Sequence, residues 1–422
     1  MTAVLYDVAR TGLMALTLLA AIWCLLFIDS LLQNKPGKIT DLPPAYHEWE
    51  QRFTHVPPVR VRLTGPTTRE QLTITSRNAL DVIHGEPGDA PWRNIQEGGR
   101  VHVRRRGDEI RIGDRSLGGG PVRFQPPDNR TVRVNGNRYR GEIVVYLHRN
   151  GGLEVVNRVP VTYYLWGVMD GEMPAQAGME ALRAQAIASR TYVLWERSFQ
   201  RRENPAARYD VKDSTASQRY PGMTAKQNRF RRAVRSTRGV ILLYGGDLLH
   251  TYYHSTCGGR TAHAADTLGH EQRPVPAALQ GGVPCHWDAH SAYYRWQTTV
   301  PQTTLRNRFE DVSSSGINDI VVHKQTSNGR VLEIQLVGAD GSKEVVKGWT
   351  FQDRLSDLGV HSTWFRVSGR EGNGFSLIGK GWGHGVGMCQ MGAIGVAEQE
   401  GSSYEWILTH YYPGATLADA YD

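Results

Sequence analysis

The stretch PVTYYLWGVMDGEMPAQAGMEALRAQAIASRTYVLWERSF, residues 160–199, is where strand patterning gives way to helix patterning. Apolar side chains recur within it at helical spacing, namely Met179, Leu182, Ala186 and Val193. This spacing predicts an amphipathic helix. Because Pro174 suits a first helical turn, we expect Glu172 in the turn before the helix. The positive end of the helix would then stabilise the Glu172 carboxylate.

Upstream, residues 59–161 contain short alternating runs such as VRVRL, QLTIT, RVHVRR, EIRIG and GEIVVYLH. A period of two interrupted by Gly, Asp and Asn predicts antiparallel strands, and VNGNRY at 134–139 carries the clearest turn residues. We therefore predict an α+β fold. A β-rich portion, 59–161, packs on a mixed α/β portion, 162–417, which has a strand–helix insertion near 300–370.

Composition limits the classes of partner. The 422 residues are 40% hydrophobic and 21% charged, as in a globular protein, and carry a formal net charge of +8. This excess of positive charge favours anionic surroundings such as a wall polymer. Runs of Lys and Arg interleaved with aromatic residues are missing from the sequence, so we predict no nucleic-acid partner.

The N-terminus carries a targeting signal. GLMALTLLAAIWCLLFI, residues 12–28, is an uncharged apolar run at the short end for a membrane-spanning helix. No small-residue cleavage site follows it, which favours an uncleaved anchor over 1–34 rather than a removed signal peptide. Residues 35–58 read as a proline-bearing linker. The remainder would then lie outside the cytoplasm on a single-pass membrane anchor.

Six segments, in order, resemble the stage II sporulation protein D / LytB (amidase-enhancer) family. They are YLWGVMDGEMP, ALRAQAIASRTYVL, DVKDSTASQRY, TYYHSTCGGRTAHAADTLG, SAYYRW and GWGHGVGMCQMGAIGVAEQEGSSYEWILTHYYPGATL. The resemblance implies a peptidoglycan lytic transglycosylase that cleaves the β-1,4 bond between N-acetylmuramic acid and N-acetylglucosamine in peptide-stripped strands, leaving 1,6-anhydro ends. It makes Glu172 the catalytic acid/base, requires no cofactor, and implies glycan strands and a wall amidase as partners. The family's other role is that of a non-catalytic wall-binding amidase activator.

The residues themselves are compatible with this chemistry. Ordinary glycosidases use two carboxyl groups, whereas in a lytic cut the substrate's own C6 hydroxyl attacks, so one carboxyl group suffices. That group must hold a proton near neutrality, which requires a raised pKa. Met173, Pro174 and Trp166 offer apolar neighbours in sequence. The alternative is a glutamate that only complements a helix dipole.

The predicted substrate-binding residues come from three of these segments. They are Asp213, Thr215, Gln218, His254, Ser255, Thr256, His384 and Gln390. Their hydroxyl, amide and imidazole groups can bind sugar hydroxyls and N-acetyl groups. For DVKDSTASQ, residues 210–218, an Asx or Ser/Thr turn remains an equal alternative.

The cysteines leave three alternatives open. Cys24 falls in the predicted anchor, and a Cys257–Cys285 disulfide would suit an exported protein. A zinc site built from Cys257, His263, Cys285 and His286 is the second alternative, and two unlinked thiols are the third. The zinc-bearing relatives have a cysteine before DST and a His-Cys pair after it. Lys212 and Ala216-Ser217 stand there in this chain, so we expect that zinc site to be missing.

The loop GWGHGVGMCQMGA, residues 381–393, also offers a possible His384–Cys389 peptidase dyad. The family usually carries serine at the Cys389 position, an exchange that a nucleophile would not tolerate. We therefore expect Cys389 to be a bystander and the glycine loop to form one wall of the glycan cleft.

Overall fold

The structure is a computed structural model that describes residues 58–421, apart from 68, 78–79, 86–92, 96–98, 127–130, 225–227, 269–273 and 313–314. The predicted anchor, 1–34, and the predicted linker up to residue 57 lie outside the described residues. Within the described ranges, no helix is both long enough and apolar enough to cross a membrane.

The first part of the described chain, residues 58–160, is made of strands. In chain order they are β1 (Pro58–Arg62), β2 (Gln71–Ser76), β3 (Leu80–His84), β4 (Arg93–Ile95), β5 (Arg100–Arg106), β6 (Glu109–Ile112), β7 (Arg115–Ser116), β8 (Val122–Gln125), β9 (Thr131–Val134), β10 (Asn137–Arg140), β11 (Glu142–Leu147) and β12 (Leu153–Pro160). In β1 and β2 alternate side chains are buried, as their period-two sequences predict.

Two helices follow, α1 (Val161–Glu172) and α2 (Met179–Glu203). The later helices are α3 (Asn228–Ser236), α4 (Ala264–Thr267), α5 (Gln302–Arg308), α6 (Gly348–Arg354), α7 (Gln390–Gln399) and α8 (Tyr404–Tyr411). The later strands are β13 (Val211–Lys212), β14 (Val240–Tyr244), β15 (Asp247–Leu248), β16 (Tyr253–His254), β17 (Trp296–Pro301), β18 (Ile317–Gln325), β19 (Val331–Gly338), β20 (Lys343–Lys347), β21 (Phe365–Glu371), β22 (Gly374–Gly379), β23 (Met388–Cys389) and β24 (Thr416–Asp419).

The strands assemble into two larger sheets and several small ones. One sheet has the order β13-β1-β12-β11-β8-β3-β4 and the other β10-β9-β2-β5-β6-β7. The predicted turn in VNGNRY is confirmed: Asn135 and Gly136 have φ of 47° and 91° and connect β9 to β10. Both residues need positive φ in such a two-residue hairpin, which Asn and Gly tolerate best. The mixed α+β class is likewise confirmed.

Two hydrophobic clusters are present in the described part. The larger runs from Val59 to Tyr421 and joins the N-terminal strands to α1, α2, α7 and α8. The smaller runs from Trp296 to Leu377 and is built from β17–β22 with α5 and α6, in the stretch where an insertion is predicted. Tyr411 and Tyr412 are fully buried in the larger cluster.

The prediction for the helix around Glu172 was partly wrong. The 175–199 pattern does form a helix, α2, but it begins at Met179 rather than near Pro174. Glu172 is instead the last residue of a separate helix, α1, whose seven buried residues run from Val161 to Met169. Its carboxylate therefore lies at the negative end of a helix dipole, which disfavours the ionised form.

Candidate active site

Glu172 is positioned by a close approach between α1 and residues 219–222. A Cβ atom at Gly167 would lie 2.5 Å from the Tyr220 ring, and one at Gly171 would lie 2.3 Å from the carbonyl oxygen of Arg219. Real Cβ atoms do not approach other atoms so closely, so only glycine lets this segment lie flat on the helix. The contact brings the backbone N–H of Arg219 to Glu172, where it donates a hydrogen bond of 2.7 Å to Oε1.

The surroundings of Glu172 favour a protonated carboxyl group. Burial raises the pKa of Glu172, while hydrogen bonding from the Arg219 backbone and the Gln390 side chain, together with the Arg219 charge, opposes that rise. The half-buried side chain keeps some contact with solvent. In the described part of the chain, no second carboxylate contributes to this shift. Glu172 is thus a carboxyl group whose proton is held more tightly than in water.

A buried polar network lies beneath Glu172. Gln218 is fully buried. Its Oε1 accepts from the Tyr164 hydroxyl at 3.0 Å, and its Nε2 donates to the Tyr253 hydroxyl at 3.0 Å and to the Ser189 carbonyl at 3.2 Å. The predicted sugar ligand Gln218 is therefore placed below the surface, with its amide occupied by protein groups. Its observed contacts hold α1, α2 and β16 together.

Gln390 forms the second part of this support. Its Nε2 lies 3.2 Å from the backbone carbonyl oxygen of Glu172 and 3.4 Å from Oε1 of Gln185. Gln185, in turn, donates to Ser189 within α2. Gln390 is the first residue of α7, so this contact ties the start of α7 to the end of α1.

Asp213 and Thr215 lie on the same loop as Gln218. The Asp213 carboxylate accepts hydrogen bonds from the Thr64 backbone at 3.0 Å and from the Thr64 hydroxyl at 2.5 Å. Thr215 is exposed. Ser217 also donates its backbone N–H to the Ser214 carbonyl at 2.9 Å. The loop thus contains a turn, one of the two alternatives for DVKDSTASQ. Thr215 is exposed to solvent in it.

The segment His254-Ser255-Thr256 meets the glycine loop through a parallel strand pair. Strand β16 pairs with β23, with Tyr253 opposite Met388 and His254 opposite Cys389. Beyond it, Thr256 and Trp382 exchange two backbone hydrogen bonds of 2.8 and 3.1 Å. Gly387 permits this approach, because a Cβ there would lie 2.0 Å from the Tyr252 carbonyl oxygen. Segments more than 125 residues apart are thereby brought together.

The surroundings of the two histidines of this region favour their neutral forms. His254 is buried, and its Nδ1 donates to the Val386 carbonyl at 3.1 Å, which leaves Nε2 as a buried acceptor without a partner in the described part. Burial lowers the pKa of His254 well below its usual value and that of His384 to about 4. His384 Nδ1 accepts from the Val386 N–H at 3.0 Å. The rings lie 5.6 Å apart.

The His384–Cys389 dyad is not formed. Cys389 Sγ instead accepts backbone N–H groups from Cys257 and Gly392, each at 3.3 Å. Cys389 belongs to a buried group that we call the thiol cluster. Its members, whose ligand atoms all lie within 4.8 Å of one another, are Cys257, Cys285, Asp288 and Cys389.

The structure differs from the disulfide and metal-site predictions for Cys257 and Cys285. Cys257 and Cys285 are free thiols, so the proposed disulfide is not formed. Of the four predicted metal ligands, the structure brings together only these two. His263 Nδ1 caps α4 by accepting from Ala265 at 3.1 Å, and His286 is exposed and packs its ring on Trp287 at 4.1 Å. Both imidazoles serve local contacts that the sequence spacing does not reveal.

An exposed aromatic side chain stands in the glycine loop. Trp382 is 42% exposed and lies against Tyr293 at a ring-centroid distance of 4.2 Å and against His361 at 5.6 Å. These partners hold the indole in place while leaving much of its surface to solvent. An indole held in this way can cover the apolar face of a sugar.

Several residues of the site were not singled out from the sequence. Tyr164, Gln185 and Tyr253 are helix or strand residues whose roles come from contacts between distant segments. Tyr253 precedes His254 in the quoted TYYHST motif, which was a usable signal. Asp288 lies in VPCHWDAH, three residues after Cys285, and this spacing was a usable signal.

Two protein-family models match parts of the chain that contain residues of this site. A family model described as stage II sporulation protein matches residues 149–244, and one for a domain of unknown function matches residues 284–387. The first range contains Glu172 and the Asp213–Gln218 loop. The second ends within the glycine loop.

Individual relatives show the same relationship. An uncharacterized protein of Brachyspira hyodysenteriae is 31% identical over 298 residues, which cover 70% of this chain and 76% of the relative. Stage II sporulation protein D of Bacillus amyloliquefaciens is 29% identical over 276 residues, 63% of this chain and 76% of the relative. The amidase enhancer of Bacillus subtilis is 27% identical over 376 residues, 76% of this chain but only 50% of the relative.

Proposed function

The chain belongs to the stage II sporulation protein D / LytB family, and from that premise we propose that it is a peptidoglycan lytic transglycosylase. Its substrate is the peptide-stripped glycan strand, and it cleaves the β-1,4 bond between N-acetylmuramic acid and N-acetylglucosamine. The observation that carries the proposal is the setting of Glu172, a half-buried carboxyl group whose pKa burial raises.

The reaction needs one proton carrier. Protonated Glu172 donates to the glycosidic oxygen as the bond from that oxygen to the anomeric carbon breaks. The substrate's C6 hydroxyl oxygen then bonds to the same carbon, and the Glu172 carboxylate accepts the hydroxyl proton. The carboxyl group returns to its starting state, and the product is a 1,6-anhydro end. Because no water enters, no second carboxylate is required, in contrast to hydrolytic glycosidases.

The surroundings support a glycan as substrate. The Arg219 backbone N–H, donating at 2.7 Å, fixes the direction of the Glu172 carboxyl group. Exposed Thr215 and Trp382 offer a hydroxyl and an apolar face to sugars. His384, in the glycine loop, and Ser255, next to that loop, are partly accessible polar groups. The net charge of +8 suits an anionic wall. We place the enzyme on the outer face of the membrane, held by residues 1–34.

The test uses the purified full chain and denuded glycan strands in water enriched in oxygen-18. We expect 1,6-anhydro-muramyl ends without incorporated label. The Glu172→Gln variant should lose this activity by about 10²- to 10⁴-fold, the usual contribution of a general acid–base group. Glu203→Gln is the matched control, because Glu203 is exposed at the end of α2, where it pairs with its neighbour Arg202. New reducing ends formed in place of 1,6-anhydro ends would mean hydrolysis and would refute the transglycosylase assignment.

A second candidate function is the activation of a wall amidase without catalysis. It is favoured by the similarity to the protein named amidase enhancer, although the chain spans about half the length of that relative. In this case wild type and Glu172→Gln would both leave denuded glycan intact and would accelerate a wall amidase equally. If wild type cleaves denuded glycan and Glu172→Gln does not, amidase activation is excluded as the sole function.

A further inference from the structure

We propose that the thiol cluster is a closed, four-ligand site for one zinc ion. The donors come from three separate segments: Cys257 follows β16, Cys285 and Asp288 lie three residues apart at the start of a short 3-10 turn (Trp287–His290), and Cys389 precedes α7. This inference is independent of the proposed glycan chemistry.

The geometry matches a tetrahedral zinc site. All four ligand atoms lie within 4.8 Å of one another, and Asp288 Oδ2 is 3.2 Å from Cys257 Sγ and 3.7 Å from Cys389 Sγ. Sulfur ligands about 2.3 Å from zinc lie about 3.8 Å from each other at tetrahedral angles. A small contraction of the cluster would therefore meet that geometry. Three soft thiolate sulfurs select zinc over magnesium or calcium, and zinc also accepts the harder carboxylate oxygen as its fourth ligand.

Burial makes an uncompensated cluster costly. Asp288 and the three cysteines are fully buried, and Oδ1 of Asp288 has no hydrogen-bond partner among the described residues. A buried carboxylate without a full set of partners is strongly destabilising. A divalent cation would neutralise the Asp288 carboxylate by binding Oδ1 or Oδ2.

Backbone donors surround the ligand atoms as in metal–thiolate sites. Cys389 Sγ accepts two amide N–H groups at 3.3 Å, and Asp288 Oδ2 accepts the Gly258 N–H at 2.8 Å. Such outer contacts stabilise thiolate and carboxylate ligands and fix their orientation. Cys389 also caps α7, whose positive end favours a thiolate.

Arg330, the residue before β19, places a positive charge beside the thiol cluster. Its side chain is fully buried, and Nη2 donates to the Cys257 carbonyl at 3.2 Å. Three thiolates, one carboxylate and a zinc ion sum to a charge of −2, which this guanidinium reduces to −1. As each sulfur binds zinc, its thiol proton passes to bulk water.

The site would act structurally, since four protein ligands leave no open position for substrate or water. Bound zinc would hold the strand pair β16–β23 and the start of α7 in fixed relative positions. Gln390 follows Cys389 directly and contacts Glu172 at 3.2 Å. The zinc site would therefore hold one support of Glu172 in place without touching the reacting atoms.

The experiment measures metal content and ligand identity, not activity. We expect the purified full chain, supplied with zinc and then dialysed, to retain about one equivalent. Cobalt substitution should give the sulfur-to-metal charge-transfer absorption of thiolate ligands, and zinc should protect all three cysteines from alkylation. Cys285→Ser and Asp288→Asn should each lower zinc retention at least tenfold. His286→Gln should retain it, because His286 is exposed and outside the cluster.

Three results would overturn the proposal. One is a disulfide between any two of the three cysteines in the native protein. Another is zinc retention that is equal in wild type and in both ligand variants, which would indicate adventitious binding. The third is wild-type protein that neither retains zinc nor shows cobalt–thiolate absorption. If a ligand variant fails to fold, the cobalt spectrum and the alkylation of the wild-type cysteines still test the zinc site. Neither measurement depends on glycan cleavage.

Discussion

The side-chain amide nitrogen of Gln390 lies 3.2 Å from the backbone carbonyl oxygen of Glu172, across 218 residues of sequence. This hydrogen bond joins the start of α7 to the end of α1. It makes Gln390 a positioning residue for the carboxyl group, because it contacts the backbone of Glu172 rather than a substrate.

Replacing Gln390 with Ala should weaken this positioning. Loss of one hydrogen bond of about 1 kcal/mol predicts a fall in kcat of about fivefold with KM little changed. The Gln390 side chain also lowers the pKa of Glu172, so the upper limb of the pH–rate profile should move to higher pH. Gln399→Ala, at the exposed end of α7, is the control. An unmoved pH limb would contradict the positioning role.

The raised pKa of Glu172 predicts a pH dependence of stability. The folded protein binds the Glu172 proton more tightly than the unfolded chain. Its contribution is therefore complete below the ordinary carboxyl pKa and is lost as pH rises through the raised folded value. Glu172→Gln removes this loss.

Urea unfolding across this pH range should show wild type falling relative to Glu172→Gln as pH increases. The lowered pKa values of His254 and His384 act in the opposite direction below neutrality, but both histidines are common to the two proteins and their contributions cancel in the difference. A pH-independent difference would show that the Glu172 pKa is not raised.

Gly392→Ala should destabilise the protein by overpacking. A Cβ atom there would lie 2.1 Å from the Tyr411 hydroxyl oxygen and 2.4 Å from Cys285 Sγ. Overpacking of a dense interior costs about 1–3 kcal/mol, measurable as a lower urea midpoint. Gly65→Ala is the matched control, because nothing lies within 4 Å of its added Cβ. Equal midpoints for the two variants would contradict the tight packing of α7 on Tyr411.

Trp382→Ala should weaken glycan binding while leaving the chemical step intact. If a sugar covers about 55 Å² of the indole, the loss at about 25 cal/mol per Å² is about 1.4 kcal/mol, or tenfold in KM. Trp349→Ala removes a similarly exposed indole, 45% against 42%, from α6. Steady-state cleavage of denuded strands measures both. An equal effect of the two substitutions would remove Trp382 from the proposed substrate surface.

Local features of the fold could be predicted because neighbouring residues determine them. Helical spacing at Met179, Leu182, Ala186 and Val193 predicted a helix, and α2 contains all four. Asn-Gly at 135–136 predicted the turn of a hairpin, since those two residues tolerate positive φ. The start of α2 was less predictable, because a proline such as Pro174 suits a loop as well as a first helical turn.

The site depended on contacts that local patterns do not encode. The EMP motif pointed to Glu172, but only packing on residues 219–222 shows how the carboxyl group is buried and bonded. Gln218 was expected at the surface, and it lies in the interior because α1, α2 and β16 all need its amide.

The sequence alone therefore determined the α+β class, the long helix, the hairpin and the family, since these follow from period, turn residues and motifs in order. Only the tertiary structure decided that Glu172 ends a helix, that Gln390 supports it, and that Cys257, Cys285, Asp288 and Cys389 converge. The reason is physical. Periodicity records which residues face a core, whereas burial, pKa and ligand geometry depend on which distant segments meet there.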